Sequence, residues 1–202
     1  MKTCYIVGAG EFFGGIELNE GDLIIAADGG YDTLMQRGYD CHIFVGDMDS
    51  LNEKPRDVEI LRFPIEKDET DTFLAYREGV KRGYTNFRIY GGVGGRIDHT
   101  FANISLLIYA KNENNTATLV ADGYEIFAIK NEKTELLGKE KNTFSVFAFG
   151  EDARGVTIKG AKYEVENVSL SPAFPLGVSN SFKDEKCEIE ATDGSLLIMQ
   201  EI

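Results

Sequence analysis

The sequence predicts an α/β chain with a mainly parallel sheet, followed by a small β-sandwich, on three grounds. Short apolar runs alternate with helix-period segments through the first two-thirds of the chain. Glycine- and acid-rich clusters follow several of those runs, where α/β proteins place ligands. Beyond residue 139 the helical period stops, and only short strand-like runs remain.

Residues 4–7, 23–27, 42–45 and 60–63 are apolar runs of strand length, with a helix expected over 31–37 between the second and third. A second helix is expected from Asp68, with Phe73, Tyr76 and Val80 on its apolar face and Gly83 as its stop. A strand at 87–90 leads to a third helix from about His99, which would bury Phe101, Ile104, Leu107 and Ile108. Runs at 116–121 and 124–129 flank Asp122-Gly123, a pair suited to a tight hairpin turn. Residues 131–142 are polar and rich in Lys and Glu, which reads as a linker with a domain boundary at 138/139. The runs at 144–149, 156–158, 163–168, 187–191 and 196–199, punctuated by Gly, Pro and Asn, then have the pattern of a small sandwich.

Composition narrows the function. The chain has 202 residues, enough for one large domain or two small ones, and 43% hydrophobic residues supply a core. With 21 Lys and Arg against 34 Asp and Glu the net charge is -13, which leaves no basic footprint for a polyanionic duplex and argues against a nucleic-acid partner. The same balance suits metal-assisted chemistry or a cationic small substrate. Cys4, Cys41 and Cys187 are odd in number and in no metal-ligand spacing, so they read as reduced thiols. The first residues run straight into a strand pattern without the features of a signal peptide, and apolar runs such as 104–110 are far shorter than the roughly 20 residues of a membrane span. No membrane association is expected, and the expected location is the cytoplasm.

Three clusters carry the chemistry. Gly46-Asp47-Met48-Asp49-Ser50 follows the run at 42–45. In extended chain, residues two apart share a side, so Asp47 and Asp49 can face one cation, although a turn in which Asp caps the next segment reads equally well. Lys67-Asp68-Glu69-Thr70-Asp71-Thr72 opens a helix. Asp as a helix cap explains it structurally, while the N–H groups of a helix start with Lys67 beside them would suit a phosphate, and Asp71 a metal shared with that phosphate. Gly91-Gly92-Val93-Gly94-Gly95-Arg96-Ile97-Asp98-His99 is the strongest signal, because four glycines in five positions make sense where backbone must pass close to a ligand. Arg96 offers a planar fork of donors for phosphate oxygens, and Asp98 can share the metal. The run is neither a Walker A loop nor the Gly-x-Gly-x-x-Gly of dinucleotide folds, and Gly8-Ala9-Gly10 also departs from the latter at Phe13. His99 is a helix-start residue or a base, His42 reads as structural, and Asp28-Gly29-Gly30 is a tight turn or a ligand contact. Together, Asp47, Asp49, Asp71 and Asp98 with Lys67 and Arg96 compose a hard-cation site with phosphate clamps. That set points to a Mg²⁺-dependent enzyme acting on a nucleotide or another phosphate compound.

Ala27-Asp28-Gly29-Gly30, the three clusters above, and Gly177-Val178-Ser179-Asn180-Ser181 resemble, in order and spacing, the motifs of the thiamine pyrophosphokinase family over nearly the whole chain. The resemblance implies transfer of the terminal pyrophosphoryl group of ATP to the hydroxyl of thiamine, giving thiamine diphosphate and AMP. It implies a Rossmann-like α/β domain, 1–138, for ATP and Mg²⁺, and a β-sandwich domain, 139–202, for thiamine. It implies a homodimer with active sites between subunits. On this carry-over Asp47, Asp49, Asp71 and Asp98 hold Mg²⁺ or shape the phosphate site. Asp28, Gly29, Lys67, Asp68, Thr70, Gly94, Gly95, Arg96 and His99 contact ATP, with Lys67 and Arg96 neutralising the transferred group. Ser179 and Asn180 contact the thiamine pyrimidine, a segment that by itself reads as a β-turn. Some members stack a C-terminal aromatic on thiamine; this chain has no Trp and places Met199 in that stretch. The rival readings are a Mg²⁺ phosphohydrolase or a kinase of another alcohol, both of which release ADP, and a non-catalytic nucleotide or vitamin sensor.

Overall fold

The computed structural model describes residues 2–47, 58–63 and 68–202, which divide into two compact units. The first comprises residues up to Leu106 together with Asn114–Asp122. Its elements are β1 (Thr3–Val7), β2 (Leu23–Ala27), α1 (Gly30–Arg37), β3 (Ile43–Val45), β4 (Glu59–Leu61), α2 (Asp71–Lys81), β5 (Asn86–Tyr90), the first part of α3 (Ile97–Asn112) and β6 (Thr116–Ala121). The strands pair in parallel in the order β6-β5-β1-β2-β3-β4. Every residue of β1 and β2 is buried, as expected of central parallel strands covered on both faces. Alternate side chains divide between those faces. Tyr5, Val7, Ile24, Ala26 and Phe44 form one cluster with Tyr31 and Leu34 of α1. On the opposite face Gly79 of α2 lies directly against Cys4 and Phe87, with no room for a Cβ.

The α-helices differ in detail from the expectation. α2 starts at Asp71 rather than Asp68, because Thr70 is its N-cap and the Thr70 Oγ1 accepts a hydrogen bond from the Phe73 N–H at 3.2 Å. It ends where expected, with Gly83 at φ +85° after the Arg82 cap. Its buried face is Leu74, Ala75, Tyr76, Glu78 and Gly79, while Phe73 and Val80 are half-buried. α3 starts two residues before His99 and buries Asn103, Leu106, Leu107 and Ala110; Phe101 is 63% exposed, and Ile104 and Ile108 are half-buried. That helix is apolar on most sides, so hydrophobic period does not select the inward face.

The second unit comprises Leu107–Glu113 and Gly123–Ile202. Its strands are β7 (Tyr124–Lys130), β8 (Lys133–Leu137), β9 (Thr143–Ala148), β10 (Ala153–Lys159), β11 (Val165–Leu170), β12 (Asn180–Ser181), β13 (Lys186–Glu190) and β14 (Ser195–Glu201). They form two antiparallel groups, β12-β9-β14-β7 and β11-β10-β13-β8. Phe144, Val146, Leu196 and Ile198 of the first group and Val156, Ile158, Leu136 and Ile189 of the second share one buried cluster. The expected linker at 131–142 contains β8, paired with β13 over five residues, so the expected boundary at 138/139 lies inside this unit. Its polarity has a structural cause: only Leu136 of β8 is buried, while Lys133 pairs with Glu188 at 2.8 Å and Glu135 with Lys186 on the exposed face.

Among the described residues no helix is long and apolar enough to cross a membrane. The three cysteines are free and buried, and burial pushes the Cys41 thiol up to about 11 and that of Cys187 up to about 12.

Tyr76 is fully buried, and its hydroxyl accepts a hydrogen bond from Asn115 Nδ2 at 2.8 Å, with Asn115 buried as well. Tyr76→Phe leaves that amide without its acceptor and is expected to lower stability by about 1–3 kcal/mol. Urea unfolding of the variant checks this; an unchanged midpoint contradicts it.

Candidate active site

The chain runs outward from β1 through β2 and β3 to β4, then returns to lay β5 on the other side of β1. The order of strands reverses there, and in open parallel sheets the crevice at such a reversal, beyond the carboxyl ends of the strands, is the ligand position. The segments leaving β1 and β5 first run together. The Gly8 N–H donates to the Tyr90 carbonyl at 2.8 Å, Gly10 N–H to the Gly91 carbonyl at 2.8 Å, and Glu11 N–H to the Val93 carbonyl at 2.9 Å. This approach requires glycine: a Cβ on Gly10 or Gly91 would overlap the facing carbonyl oxygens, and Gly91 has φ +61°.

A cavity of about 290 Å³ lies at this end of the sheet. Its lining includes Gly10, Asp28, Asp71, Gly94, Arg96 and Asn103. Asp28 reaches it because the residue adopts φ +51° just past β2, a conformation uncommon for a side chain larger than glycine, with its N–H fixed to the Val45 carbonyl at 2.9 Å. Asp71 occupies the first turn of α2, where N–H groups and the helix dipole favour anions.

Of the residues singled out in the sequence, Asp28, Asp71, Gly94, Gly95, Arg96 and His99 line the cavity. Asp47, Gly29, Asp68, Thr70 and Asp98 do not, although Asp47 follows β3 at the same sheet end and Thr70 caps the helix that presents Asp71. Asp49 and Lys67 lie outside the described residues. His42 is structural: its Nδ1 accepts from the Ile24 N–H at 2.9 Å. The lining also includes Thr72, Thr100 and Asn103, which were not assigned from the sequence. Thr100 and Asn103 follow Arg96 by four and seven residues, the helical spacing that places side chains on one face, so their signal was present.

Arg96 and Asp98, expected to serve phosphate and metal respectively, are paired with each other. The guanidinium donates through Nε at 3.1 Å and Nη2 at 2.6 Å, and the His99 N–H adds a third bond at 3.0 Å. The Arg96 fork beside it holds the Asp98 carboxyl down to about 2. Both side chains are largely exposed, so the pair is well hydrated and contributes little to stability.

Asp28 and Asp71 are the carboxylates of the cavity lining, and among the described residues no three His, Cys, Asp or Glu gather into a preformed cation cage. That donor set fits Mg²⁺ arriving with a nucleotide, since Mg²⁺ takes one or two protein carboxylates and fills its other positions with phosphate oxygens and water.

The Gly177–Ser181 segment lies in the second unit. The Val146 N–H of β9 donates to the Gly177 carbonyl at 2.8 Å, and the Ser179 N–H donates to Ser145 Oγ at 3.1 Å. Ser179 is exposed, with φ +58°. Asn180 is buried: its Oδ1 accepts from the Tyr163 and Ser181 N–H groups at 3.0 and 2.9 Å, and its Nδ2 donates to the Tyr163 carbonyl at 2.8 Å. Asn180 therefore fastens Tyr163 to β12.

Comparison with known proteins agrees with this layout. Residues 16–119 match the model of the thiamin pyrophosphokinase catalytic domain, and residues 127–196 match that of the thiamin pyrophosphokinase vitamin B1 binding domain. The thiamine pyrophosphokinase of Bacillus subtilis is 28% identical over 189 residues, covering 90% of this chain and 88% of its own. A crystal structure of the Bacillus subtilis protein superimposes with a TM-score of 0.88 at 25% identity, covering 99% of both chains. Yeast thiamin pyrophosphokinase shares the fold with a TM-score of 0.77 at 18% identity, over 100% of this chain and 86% of that one. With a catalytic-domain match over half of its length and a vitamin-domain match following it in order, the chain belongs to the thiamine pyrophosphokinase family.

Proposed function

We propose that this protein is an ATP:thiamine diphosphotransferase. The observation that carries the reading is the coincidence of the catalytic-domain match with a cavity that combines an anion-binding helix start, a glycine loop, Arg96 and two carboxylates. In the reaction the hydroxyl oxygen of thiamine attacks the β-phosphorus of ATP. The bond from that phosphorus to the oxygen bridging it to the α-phosphate breaks, AMP departs with that oxygen, and the hydroxyl proton passes to solvent. Such a transfer needs mainly alignment and charge neutralisation. The glycine loop and the α2 N-terminus bind the phosphates, and Arg96 exchanges Asp98 for the transferred group. Asp28 and Asp71 would hold the Mg²⁺ that accompanies ATP, Asp47, Asp49 and Asp98 would help shape the site, and Lys67 would add positive charge to it. Gly29, Asp68, Thr70, Gly94, Gly95 and His99 complete the ATP contacts. Bound Mg²⁺ would supply neutralisation of phosphate charge.

In this reading the first unit is a Rossmann-like domain for ATP and Mg²⁺, supported by its parallel strand order and the placement of the cavity. The second is a β-sandwich that binds thiamine around Ser179, with Asn180 securing the segment; the core shared by its two strand groups supports this. The protein works in the cytoplasm as a homodimer whose sites lie between subunits. Exposed apolar side chains beside both motifs support the dimer: Ile97 and Phe101 follow Arg96, and Phe174, Leu176 and Val178 precede Ser179.

Incubation with ATP, Mg²⁺ and thiamine is expected to yield AMP and thiamine diphosphate by mass spectrometry only when all components are present, and ADP as product would contradict the reading. Asp71→Asn is expected to reduce turnover about 100-fold, as loss of a few kcal/mol of charge stabilisation requires, with the fold intact. Sedimentation is expected to give twice the mass of one chain; a monomer with full activity would sink the shared-site arrangement. The ¹³C shift of the Asp98 carboxyl is expected to remain that of a carboxylate on acidification until about pH 2, whereas Arg96→Ala returns its titration toward 3.8. Because the folded value is the depressed one, the pair contributes above the ordinary carboxylate range and is lost as pH falls through about 2, so it has no effect on the profile near neutrality.

A further inference from the structure

Three successive carbonyls of the glycine-rich loop are tied to donors outside it, and the middle one depends on a single side chain. The Gly91 and Val93 carbonyls accept from the backbone N–H groups of Gly10 and Glu11, and the Gly92 carbonyl accepts from Asn103 Nδ2 at 2.9 Å. Asn103 is 5% exposed and is the buried polar side chain of α3 among the described residues, in company with Leu106, Leu107 and Ala110. It also lines the cavity, as does Gly92. A position serving packing alone on that helix face would be filled by an apolar residue at no desolvation cost.

We propose that Asn103 is a positioning residue for the phosphate site, acting through the Gly92 carbonyl; this rests on the reading of the cavity as the place of the ATP phosphates. A trans peptide holds its C=O and N–H antiparallel, so fixing the Gly92 carbonyl also fixes the direction of the Val93 N–H. Occupying that carbonyl has a second consequence. A peptide unit free to rotate would present the negative end of its dipole to an anionic ligand, whereas one held by Asn103 does not. A chain rich in glycine has broad access to alternative φ and ψ, so such a unit needs to be held. The antiparallel Glu11–Val93 bridge engages its Val93 end, and Asn103 is what holds its Gly92 carbonyl.

The test uses Asn103→Ala and Asn103→Leu, the second keeping the volume but losing the donor. For each folded variant, Mg·ATP affinity is measured by calorimetry and KM for both substrates by assay. Loss of one buried hydrogen bond that orients the loop is expected to weaken Mg·ATP binding and raise KM for ATP about tenfold, with KM for thiamine within about twofold of the unaltered protein and the melting transition retained. A folded variant with unaltered Mg·ATP affinity, or one in which both KM values rise together, overturns the proposal. If Asn103→Ala does not fold, Asn103→Leu carries the test. A through-hydrogen-bond NMR coupling from the Asn103 amide to the Gly92 carbonyl is expected in the unaltered protein, and its absence overturns the proposal without any variant. Failure of the unaltered protein to bind Mg·ATP would instead overturn the phosphate reading of the cavity, and the proposal with it.

Discussion

Strands β1 and β5 are neighbours, yet the chain leaves them toward opposite sides of the sheet, and before parting their two exits are clamped together by backbone hydrogen bonds. That clamp constrains everything around the site. It needs carbonyl and N–H groups from both segments at van der Waals range, which forces glycine at the points of closest approach. It also engages the Gly91 and Val93 carbonyls, so the loop meets the cavity with those acceptors already bonded. The same sheet end receives Asp28 from β2 and Asp71 from the start of α2, so the cavity gathers helix-start N–H groups and carboxylates, with no preformed cation cage among the described residues. Such an arrangement suits a ligand that brings its own cation.

Electrostatics follow from that geometry. In a chain of net charge -13, an anionic substrate has to be met locally. In the proposed reading Arg96 is the movable part of that local charge: its bidentate bond to Asp98 holds an exposed guanidinium beside the cavity in a defined direction. The helix start at Asp71 is the fixed part. A fixed dipole and a movable cation on either side of a phosphate chain are what transfer with little covalent involvement of the protein requires.

Much of this was legible in the sequence because the governing signals are local. The all-apolar runs of β1 and β2, the existence of a helix opening near the 67–72 cluster, though not its start at Asp71, and the glycine cluster after β5 declare themselves in short windows. The motif order supplied the family, since five short patterns in one sequence are far more restrictive than any alone. What was not legible depends on which side of an element faces inward. α3 is apolar nearly all round, so Asn103 is identified only by the carbonyl it reaches, and Phe101 is outside although its residue type argues for inside. β8 was hidden by its exposed Lys and Glu, which are paired across to β13, and by having only Leu136 buried. Likewise the pairing of Arg96 with Asp98 and the bonding of Asn180 to Tyr163 are relations between side chains and backbone that spacing alone does not fix.

The central claim is that the phosphates of ATP sit in the cavity between the β5 exit and the start of α2. A crystal structure with Mg²⁺ and a non-hydrolysable ATP analogue tests it most directly. The account predicts phosphate density against Gly94, Gly95 and the N-terminus of α2, with Arg96 turned from Asp98 onto the nucleotide. Nucleotide bound elsewhere, with this cavity empty and the Arg96–Asp98 pair unchanged, would contradict it.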